Sequence, residues 1–324
     1  MDRLLEIKNL KTLFHTRNGT VKAVDGVDLA LNRGDTLGIV GESGCGKTVL
    51  ALSIMRLIPQ PPGHIAGGQI LFEGTDLLKL SEQEMRNHRG KEIAMIFQEP
   101  MNSLNPVIRI GDQIAEVLRR HEHISKQEAM DRALDMLRRV GMPSAEERLR
   151  QYPHQMSGGM RQRVMIAMAL SCNPRLMLAD EPTTALDVTI QAQILDLITT
   201  LKKEFDSSIV MITHDLGVIA EAAQFAAVMY AGKVVEYCSV DDLFDTPLHP
   251  YTEGLMASSP RMDTDAKRHD YLPVIPGMVP SLYDLPQGCS FQGRCPYTMA
   301  ICREREPDLI AHRPGHQARC WKYQ

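Results

Sequence analysis

The sequence lacks a long apolar run and a leader-like N-terminus. None of its windows approaches the run of about 18 apolar residues that a membrane-spanning helix needs. The first residues, MDRLLE, include acids and no extended apolar stretch, so they do not resemble a secretory signal. We therefore expect a soluble, cytoplasmic protein that reaches a membrane only through a partner.

The sequence also lacks an excess of basic charge, internal repeats, low-complexity tracts and heptad runs. Its formal net charge is −4, which argues against a nucleic-acid partner, because broad nucleic-acid binding needs a basic stripe. Apolar residues make up 44% and charged residues 23%, as in ordinary globular proteins. The 324 residues suit one large domain, or a domain with a smaller appendage. A chain of this length can bury a large core without stabilising cross-links.

Alternating apolar strands and helices indicate an α/β fold. Short apolar runs bounded by turn signals are typical of buried parallel strands. Their alternation with helices predicts a parallel sheet that has helices on its faces. The predicted elements are strands at Thr36–Val40, Ile93–Phe97, Leu176–Ala179 and Ile209–Thr213 and helices at 47–58 and 187–203.

Two segments depart from this alternation. Apolar residues at helical spacing predict a helical subdomain inserted at about 107–157, where Ser125 and Glu128 form a capping box. Residues 246–324 contain ten prolines, which predicts loops and short elements rather than a large core. The expected domains are a main domain at 1–246 and a C-terminal extension at 247–324.

A phosphate-binding loop is the strongest single motif. Residues 41–48 read GESGCGKT, which matches G-x-x-x-x-G-K-[ST] between a predicted strand and a predicted helix. Glycines let the backbone curl so that its N–H groups point at phosphate oxygens, and the helix adds its positive N-terminal end. We expect Lys47 to neutralise the β- and γ-phosphates of a bound nucleotide and the Thr48 hydroxyl to ligate Mg²⁺. The predicted nucleotide ligands here are Gly41, Ser43, Gly44, Cys45, Gly46, Lys47 and Thr48.

Cys45 lies inside this loop and allows two interpretations. A thiol near a helix N-terminus has a lowered pKa, which would suit a redox switch. Alternatively, the position is an ordinary loop residue whose backbone contributes to the phosphate site. We favour the second interpretation.

Several further motifs follow in a characteristic order. Residues 157–162 read SGGMRQ at the start of an apolar helix, and residues 176–181 read LMLADE. Residues 185–187 read ALD, residues 213–215 read THD, and Gln98 follows a predicted strand. These motifs resemble the signature, Walker B, D-loop, switch histidine and Q-loop of ABC ATPases. The resemblance implies a P-loop NTPase (RecA-like) fold, that of an ABC nucleotide-binding domain.

Three residues of these motifs are candidates for catalysis, and a fourth, Asp180, is a candidate for binding Mg²⁺. Asp180 ends a strand and can hold Mg²⁺, directly or through water. Glu181 follows it, where a base could orient the attacking water. The resemblance implies that His214 contacts the γ-phosphate and that Gln98 ligates Mg²⁺ and takes part in catalysis.

The signature residues Ser157, Gly158 and Gly159 form a second anion site, because they begin a helix. The resemblance implies a head-to-tail dimer, in which the signature of one subunit closes over ATP bound to the P-loop of another. Asp187 of the D-loop joins the nucleotide-contacting residues. Phe14 lies where ABC proteins place an aromatic residue on adenine; a core role for Phe14, or stacking by His15 instead, remain alternatives.

The tail carries its own set of motifs. It reads HPYT at 249–252, PGMVP at 276–280, PQGC at 286–289 and RCP at 294–296. These motifs resemble the C-terminal extension of the oligopeptide, dipeptide and nickel importer ATPases. The resemblance implies an ATP-hydrolysing importer motor, most simply for peptides, on the cytoplasmic face of the membrane. Its implied partners are integral membrane permease subunits, a paralogous ATPase and, indirectly, an extracytoplasmic substrate-binding protein.

Two questions about function stay open at this point. Dipeptides, oligopeptides, nickel chelates and opines cannot be separated, because substrate choice lies in the binding protein and the channel. A soluble ABC ATPase acting on ribosomes, DNA or iron–sulfur assembly is the rival class. Such ribosome or DNA factors usually carry two cassettes or a long coiled coil, and this sequence has one cassette and no heptad run.

The C-terminal cysteines predict a metal centre. Disulfides are a poor explanation in a reducing cytosol, and four thiolates suit tetrahedral zinc or a [4Fe–4S] cluster. The spacing of the cysteines matches neither a zinc ribbon nor a ferredoxin. Zinc remains an alternative because His312 and His316 are near in the sequence, and cysteines that are merely buried without a metal are a third possibility. The resemblance favours a cluster that replaces a missing core. The predicted ligands are Cys289, Cys295, Cys302 and Cys320.

Overall fold

A computed structural model describes residues 2–99, 103–184, 186–258 and 273–324. The chain forms two compact units. In sequence ranges, the first unit is 1–4, 31–36 and 76–212, and the second unit is 5–30, 37–75 and 213–324. Each unit therefore combines segments that are far apart in the sequence.

Strands and helices alternate through the main part of the chain. The strands of the described residues are β1 (Arg3–Thr16), β2 (Gly19–Asn32), β3 (Thr36–Val40), β4 (Gly63–Phe72), β5 (Thr75–Asp76), β6 (Ile93–Ile96), β7 (Leu176–Asp180), β8 (Ser208–Ile212), β9 (Phe225–Tyr230), β10 (Lys233–Ser239), β11 (Ile310–Arg313) and β12 (His316–Ala318). The helices of the described residues are α1 (Lys47–Ile54), α2 (Glu82–His88), α3 (Ile110–Glu122), α4 (Lys126–Arg139), α5 (Ala145–Arg148), α6 (Gly158–Leu170), α7 (Val188–Glu204), α8 (Leu216–Ala222), α9 (Val240–Asp245), α10 (Pro250–Ser258) and α11 (Ala300–Glu304).

The first unit contains a parallel sheet of β6, β7 and β8. β7 pairs with both neighbours, with Ala179 opposite Ile96 and Asp180 opposite Ile212. All residues of the three strands are buried, which explains why all of them except Asp180 and Ser208 are apolar. The predicted parallel strands are thus confirmed, and the carboxyl ends of β6 and β7 bring the residues that follow them to one edge.

The predicted helices of the insert are present in the first unit. α3 and α4 pack against each other, and α4 buries Ala129, Ala133 and Leu137 on one face. The Ser125 hydroxyl accepts a hydrogen bond from the Glu128 N–H at 3.2 Å, which is the half of the predicted capping box that the structure shows. The helical character predicted for this segment is therefore confirmed, while the subdomain's limits stay a prediction.

The second unit contains two sheets. In one, β1 lies between β2 and β4 and pairs antiparallel with β4. In the other, β9 pairs in parallel with β3 and antiparallel with β10, and β12 adds to the far side of β10. The proline-rich tail was expected to form loops and short elements, and its short strands β11 and β12 extend this sheet. The tail is therefore anchored by backbone pairing as well as by side chains.

One predicted element is too long. The helix predicted at 47–58 ends at Ile54, because Arg56 adopts a left-handed φ of 51° that cannot continue an α-helix. No helix in the part of the chain that the structure describes is long and apolar enough to span a membrane.

Candidate nucleotide-binding site

The loop at 41–46 joins the buried strand β3 to α1 in the second unit. Gly41 has φ +153°, and a Cβ atom there would lie 2.2 Å from the Met229 carbonyl oxygen. Gly46 has φ +106°, and a Cβ atom there would lie 2.2 Å from the Ala23 carbonyl oxygen. Only glycine fits these positions, so the tight curl of the loop depends on them.

Lys47 lies within the curl of this loop. Its Nζ atom donates to the carbonyl oxygens of Gly41 at 2.7 Å and Glu42 at 3.1 Å, and the residue is only 6% exposed. Ser43, Gly44 and Thr48 are exposed on the open side of the loop. The loop thus presents a fixed cation and the N-terminus of α1 on one side, which is the chemistry of an anion cradle.

Cys45 has no exposed thiol to act as a switch. The residue is 1% exposed, and burial raises the pKa of its thiol despite the neighbouring Lys47 ammonium group. A buried thiol with a raised pKa is a poor nucleophile and is slow to oxidise. The structure supports the interpretation in which only the backbone of Cys45 serves the loop.

Glu181 and Gln98 lie together in the first unit. Glu181 comes directly after β7, and its Oε2 atom accepts hydrogen bonds from Gln98 Nε2 at 3.0 Å and Thr184 Oγ1 at 2.9 Å. Its backbone has φ +45°, and its N–H donates to the Ile212 carbonyl at 2.8 Å. Asp180, the last residue of β7, is 1% exposed. The two adjacent carboxylates therefore lie in different environments: Asp180 is buried, and Glu181 accepts hydrogen bonds from an amide and a hydroxyl group.

The signature residues form an exposed helix N-terminus in the first unit. Ser157 is the N-cap of α6, and its hydroxyl accepts a hydrogen bond from the Met160 N–H at 3.4 Å. Ser157 and Gly158 are exposed, while a Cβ atom on Gly159 would lie 3.0 Å from Ile190. Asp187 caps α7 by accepting from the Ile190 N–H at 3.0 Å.

His214 and Phe14 belong to the second unit. His214 is exposed and directly precedes Asp215, which caps α8. Phe14 is half-buried on β1 beside Gly63, where a Cβ atom would lie 2.7 Å from its ring. His15 is exposed, and its ring stacks on His64 at a centroid distance of 4.8 Å. Both aromatic candidates for adenine thus stay open, and His64 is a neighbour that sequence reasoning missed.

The four C-terminal cysteines line one cavity in the second unit, together with Phe291 and Trp321. Burial, reinforced by the other three cysteines, raises the pKa of Cys289 to about 11. Tetrahedral zinc would hold thiolates about 3.8 Å apart, given Zn–S bonds of about 2.3 Å. Among the described residues, however, no three of these sulfur atoms lie within 4.8 Å of one another. The four cysteines therefore share a cavity without forming, among themselves, the compact three-sulfur group that a single zinc ion needs.

The two histidines that kept a zinc site open are engaged elsewhere. His312 packs on the Tyr323 ring at 4.8 Å between centroids. His316 is fully buried, with Nε2 2.7 Å from Oε1 of Glu236. Neither histidine lines the cysteine cavity. The sequence-based suggestion that they could complete a zinc site with the cysteines is therefore not supported by their positions.

Glu236, Cys238 and His316 form a buried cluster that sequence reasoning missed. Their potential ligand atoms lie within 4.8 Å of one another. The carboxylate of Glu236 already accepts from the N–H groups of Leu248 at 2.7 Å and His249 at 2.9 Å. Although burial opposes ionisation, these bonds and the one to His316 lower the pKa of Glu236, and burial raises that of Cys238 far above its usual value. Through these buried polar contacts, the cluster connects β10 and β12 with the start of α10.

Comparison with known proteins identifies the family. A family model described as "ABC transporter" matches residues 24–184, and one described as "Oligopeptide/dipeptide transporter, C-terminal region" matches residues 235–302. The oligopeptide transport ATP-binding protein OppD of Bacillus subtilis is 54% identical over 98% of this chain and 88% of its own length. The oligopeptide transport ATP-binding protein AppD of the same organism is 52% identical over 100% of this chain and 98% of its own length.

The chain belongs to the ATP-binding proteins of the peptide ABC transporter family. A solved structure of the ATP-binding cassette MJ0796, dimeric and bound to ADP and Pi, is similar to this ABC protein with a TM-score of 0.66 and 26% identity. That similarity covers 73% of this chain and 98% of the cassette. The predicted P-loop fold of an ABC cassette is thus confirmed.

Proposed function

We propose that this ABC protein binds and hydrolyses ATP as the motor subunit of an importer for dipeptides or oligopeptides. The observation that carries the proposal is the setting of Glu181, which follows a buried aspartate and is held by Gln98 and Thr184. A carboxylate oriented in this way can polarise water. The match of residues 235–302 to the peptide transporter C-terminal region supports the transport role.

The phosphate loop supplies the nucleotide ligands in this proposal. Backbone N–H groups of residues 41–48 contact the phosphates, and Lys47 neutralises their charge. Thr48, Gln98 and Asp180 are proposed to hold Mg²⁺, the first two directly and Asp180 directly or through water. Phe14 is proposed to stack on adenine, with His15 as the alternative.

Hydrolysis then needs only positioning and electrostatics. Glu181 orients the attacking water, and His214 contacts the γ-phosphate as its bond breaks. Gln98 and Thr184 both donate to one oxygen of Glu181, and these bonds orient the carboxylate that is proposed to take the water proton. No covalent intermediate on the protein is required.

A second subunit completes the site in this proposal. Ser157, Gly158 and Asp187 lie at helix N-termini, and Ser157 and Gly158 are exposed. Exposed N–H groups at a helix start can bind the γ-phosphate of ATP held by another subunit. The proposed assembly is a head-to-tail dimer, with a paralogous ATPase as the second subunit. ATP adds contacts across the interface and hydrolysis removes them.

The remaining partners follow from the family. We propose peripheral attachment to the cytoplasmic face of the membrane through separate permease subunits, fed by an extracytoplasmic binding protein. In this proposal the main domain at 1–246 carries the ATPase site, and the extension at 247–324 carries the four C-terminal cysteines. Nickel or opine transport is the alternative within the family. A soluble role on ribosomes, DNA or iron–sulfur assembly has no support in the residues described.

The four cysteines are proposed to hold a [4Fe–4S] cluster. All four line one cavity, no three of their sulfur atoms form the compact group that one zinc ion needs, and four thiolates are the ligand set of such a cluster. When bound, such a group would cross-link four points of a tail that has little apolar core. Its proposed role is structural, and zinc is the alternative.

Reconstitution tests the transport proposal. The chain is co-expressed with the permease subunits and a partner ATPase, purified from membranes and placed in proteoliposomes that hold ATP inside, and the substrate-binding protein is added outside. ATP-dependent uptake of a labelled dipeptide or oligopeptide, blocked by unlabelled peptide and not by a nickel chelate, is the expected result. Uptake of nickel or an opine instead would contradict the peptide assignment, and co-purification with ribosomes would contradict transport.

A further inference from the structure

Two residues of the C-terminal region, Arg294 and Tyr251, form hydrogen bonds with Glu42 of the phosphate loop. The guanidinium of Arg294 donates from Nη1 to Glu42 Oε2 at 2.7 Å and from Nη2 to Glu42 Oε1 at 3.0 Å. The Glu42 backbone N–H donates to the Tyr251 hydroxyl oxygen at 2.8 Å. All three residues lie in the second unit, so the loop's second residue is held by both its side chain and its backbone.

Arg294 is fixed on every side. It is only 8% exposed, and its Nε donates to the Pro276 carbonyl at 3.0 Å. Its Nη1 also lies 3.4 Å from the Tyr230 hydroxyl, and its guanidinium lies 5.9 Å from the centre of the Phe291 ring. The pair with Glu42 raises the pKa of Arg294, so the cation is permanent. A bidentate pair this well enclosed fixes geometry as well as charge.

Tyr251 is equally confined. It is 0% exposed, and its ring lies 4.6 Å from that of Tyr230 and 5.4 Å from that of Phe291. Burial raises the pKa of its hydroxyl, which stays protonated. The hydroxyl oxygen therefore remains a neutral acceptor at a fixed point beside the loop.

Glu42 presents an electrostatic problem that these contacts solve. A carboxylate at the second position of an anion cradle repels the phosphates that the loop binds. The bidentate pair with Arg294 neutralises it. The Glu42 carbonyl also accepts from Lys47 Nζ at 3.1 Å, so fixing this peptide fixes one support of the phosphate-binding lysine.

We propose that Arg294 and Tyr251 are positioning residues of the ATP site. They hold the start of the phosphate loop and cancel the charge of Glu42, which makes the C-terminal region a working part of nucleotide binding. The inference rests on the proposal that residues 41–48 bind ATP. It gives the HPYT and RCP motifs, which contain Tyr251 and Arg294, a role in nucleotide binding that ATP hydrolysis alone does not explain.

Equilibrium binding of mant-ATP with Mg²⁺ to the full chain tests the inference. Arg294→Met leaves the Glu42 carboxylate, whose side chain is 31% exposed, without its arginine beside the phosphates, and the expected loss of affinity is about tenfold or more. Adding Glu42→Gln to Arg294→Met removes that charge, and the expected result is recovery to within about threefold of the wild type. Rescue by neutralising the partner is a signature that simple loss of stability does not produce.

Two matched controls separate positioning from general damage. Arg319→Met removes another arginine of the tail that, like Arg294, directly precedes a cysteine. Among the contacts described, the Arg319 side chain donates to the backbone carbonyls of Val234 and Pro307. Tyr237→Phe removes a hydroxyl that donates to the Ala30 carbonyl at 3.3 Å, away from the loop. Both controls are expected to bind mant-ATP like the wild type at a temperature where circular dichroism shows them folded.

Several results would overturn the inference. Wild-type affinity in Arg294→Met contradicts it, and so does a folded double variant that stays as weak as the single one. If Arg294→Met does not fold, Tyr251→Phe answers the question, since it keeps the ring and removes only the hydroxyl group. A loss of affinity of about threefold or more is then expected, and an unchanged affinity refutes the inference. Failure of the wild-type chain to bind mant-ATP would instead refute the proposed function.

Discussion

Gln98 Nε2 donates a 3.0 Å hydrogen bond to Oε2 of Glu181, 83 positions further along the chain. Thr184 Oγ1 donates to the same oxygen at 2.9 Å. These two bonds fix the orientation of the Glu181 carboxylate, the proposed acceptor of a water proton, and make Gln98 one of the groups that orient it. Gln98 also lies just before the segment at 99–106, which connects the sheet to the helical insert.

Gln98→Ala should slow hydrolysis more than it weakens binding. Without the amide, Glu181 loses one of its two described supports and the proposed Mg²⁺ site loses a ligand, so kcat should fall about ten- to a hundredfold. Steady-state ATPase assays with mant-ATP titration in parallel separate the two effects. Thr184→Val, which removes the other support, should lower kcat by a smaller factor. A normal kcat in Gln98→Ala would contradict the assigned role.

Lys47→Ala should abolish useful ATP binding. The ammonium group is the cation fixed inside the phosphate loop, and losing its charge-assisted bonds to phosphate should weaken binding by about a hundredfold. Isothermal titration calorimetry with Mg²⁺ and a non-hydrolysable ATP analogue measures the change. Lys79→Ala is the control, because the Lys79 side chain is 77% exposed. Equal losses in both variants would show that general surface charge, and not the loop, governs affinity.

Acid should destabilise the chain through His249. Burial lowers the pKa of His249 to about 4 from an ordinary value of 6.5. Between these values the unfolded chain binds the proton and the folded chain does not, so stability is full above about pH 6.5 and falls as the pH drops towards 4. His249→Asn keeps an acceptor for the Tyr251 N–H and removes the titration. Denaturant unfolding from pH 7 to pH 4.5 should show a shallower loss for this variant, and parallel curves would contradict the prediction.

The C-terminal cysteines should carry iron. Anaerobically purified protein should be brown and contain about four iron atoms per chain. Cys302→Ser should lose the colour and lower the melting temperature, because the tail loses a cross-link. Cys172→Ala, which changes a buried cysteine outside the cavity, should keep both. A colourless wild-type protein with one zinc ion per chain would contradict the cluster.

Local sequence was sufficient to predict the secondary structure around those candidate-site residues that lie close together in the chain. The loop at 41–48, the strand ending at Asp180 and the N-cap at Ser157 each combine a short motif with a short apolar element. Such combinations depend on neighbouring residues, whose geometry a strand–turn–helix unit fixes. The α/β alternation and the helices of the insert followed from the same kind of local pattern, whereas the P-loop NTPase fold followed from the family resemblance of the motifs.

Long-range pairs could not be predicted. Arg294 and Glu42 are 252 positions apart, and His316 and Glu236 are 80 apart, so no periodicity connects them. β12 has three residues inside a proline-rich segment, which is too short for an alternating pattern. The helix predicted at 47–58 was too long because no propensity argument foresees the left-handed turn at Arg56.

The most direct test of the account compares ATP hydrolysis and dimerisation in the wild type and in Glu181→Gln. The amide keeps the hydrogen-bonding shape of the side chain and cannot take a proton from water. We predict that the variant binds ATP as tightly as the wild type, loses hydrolysis by about a hundredfold or more, and sediments as an ATP-bound dimer. Normal hydrolysis by Glu181→Gln would contradict the mechanism at its centre.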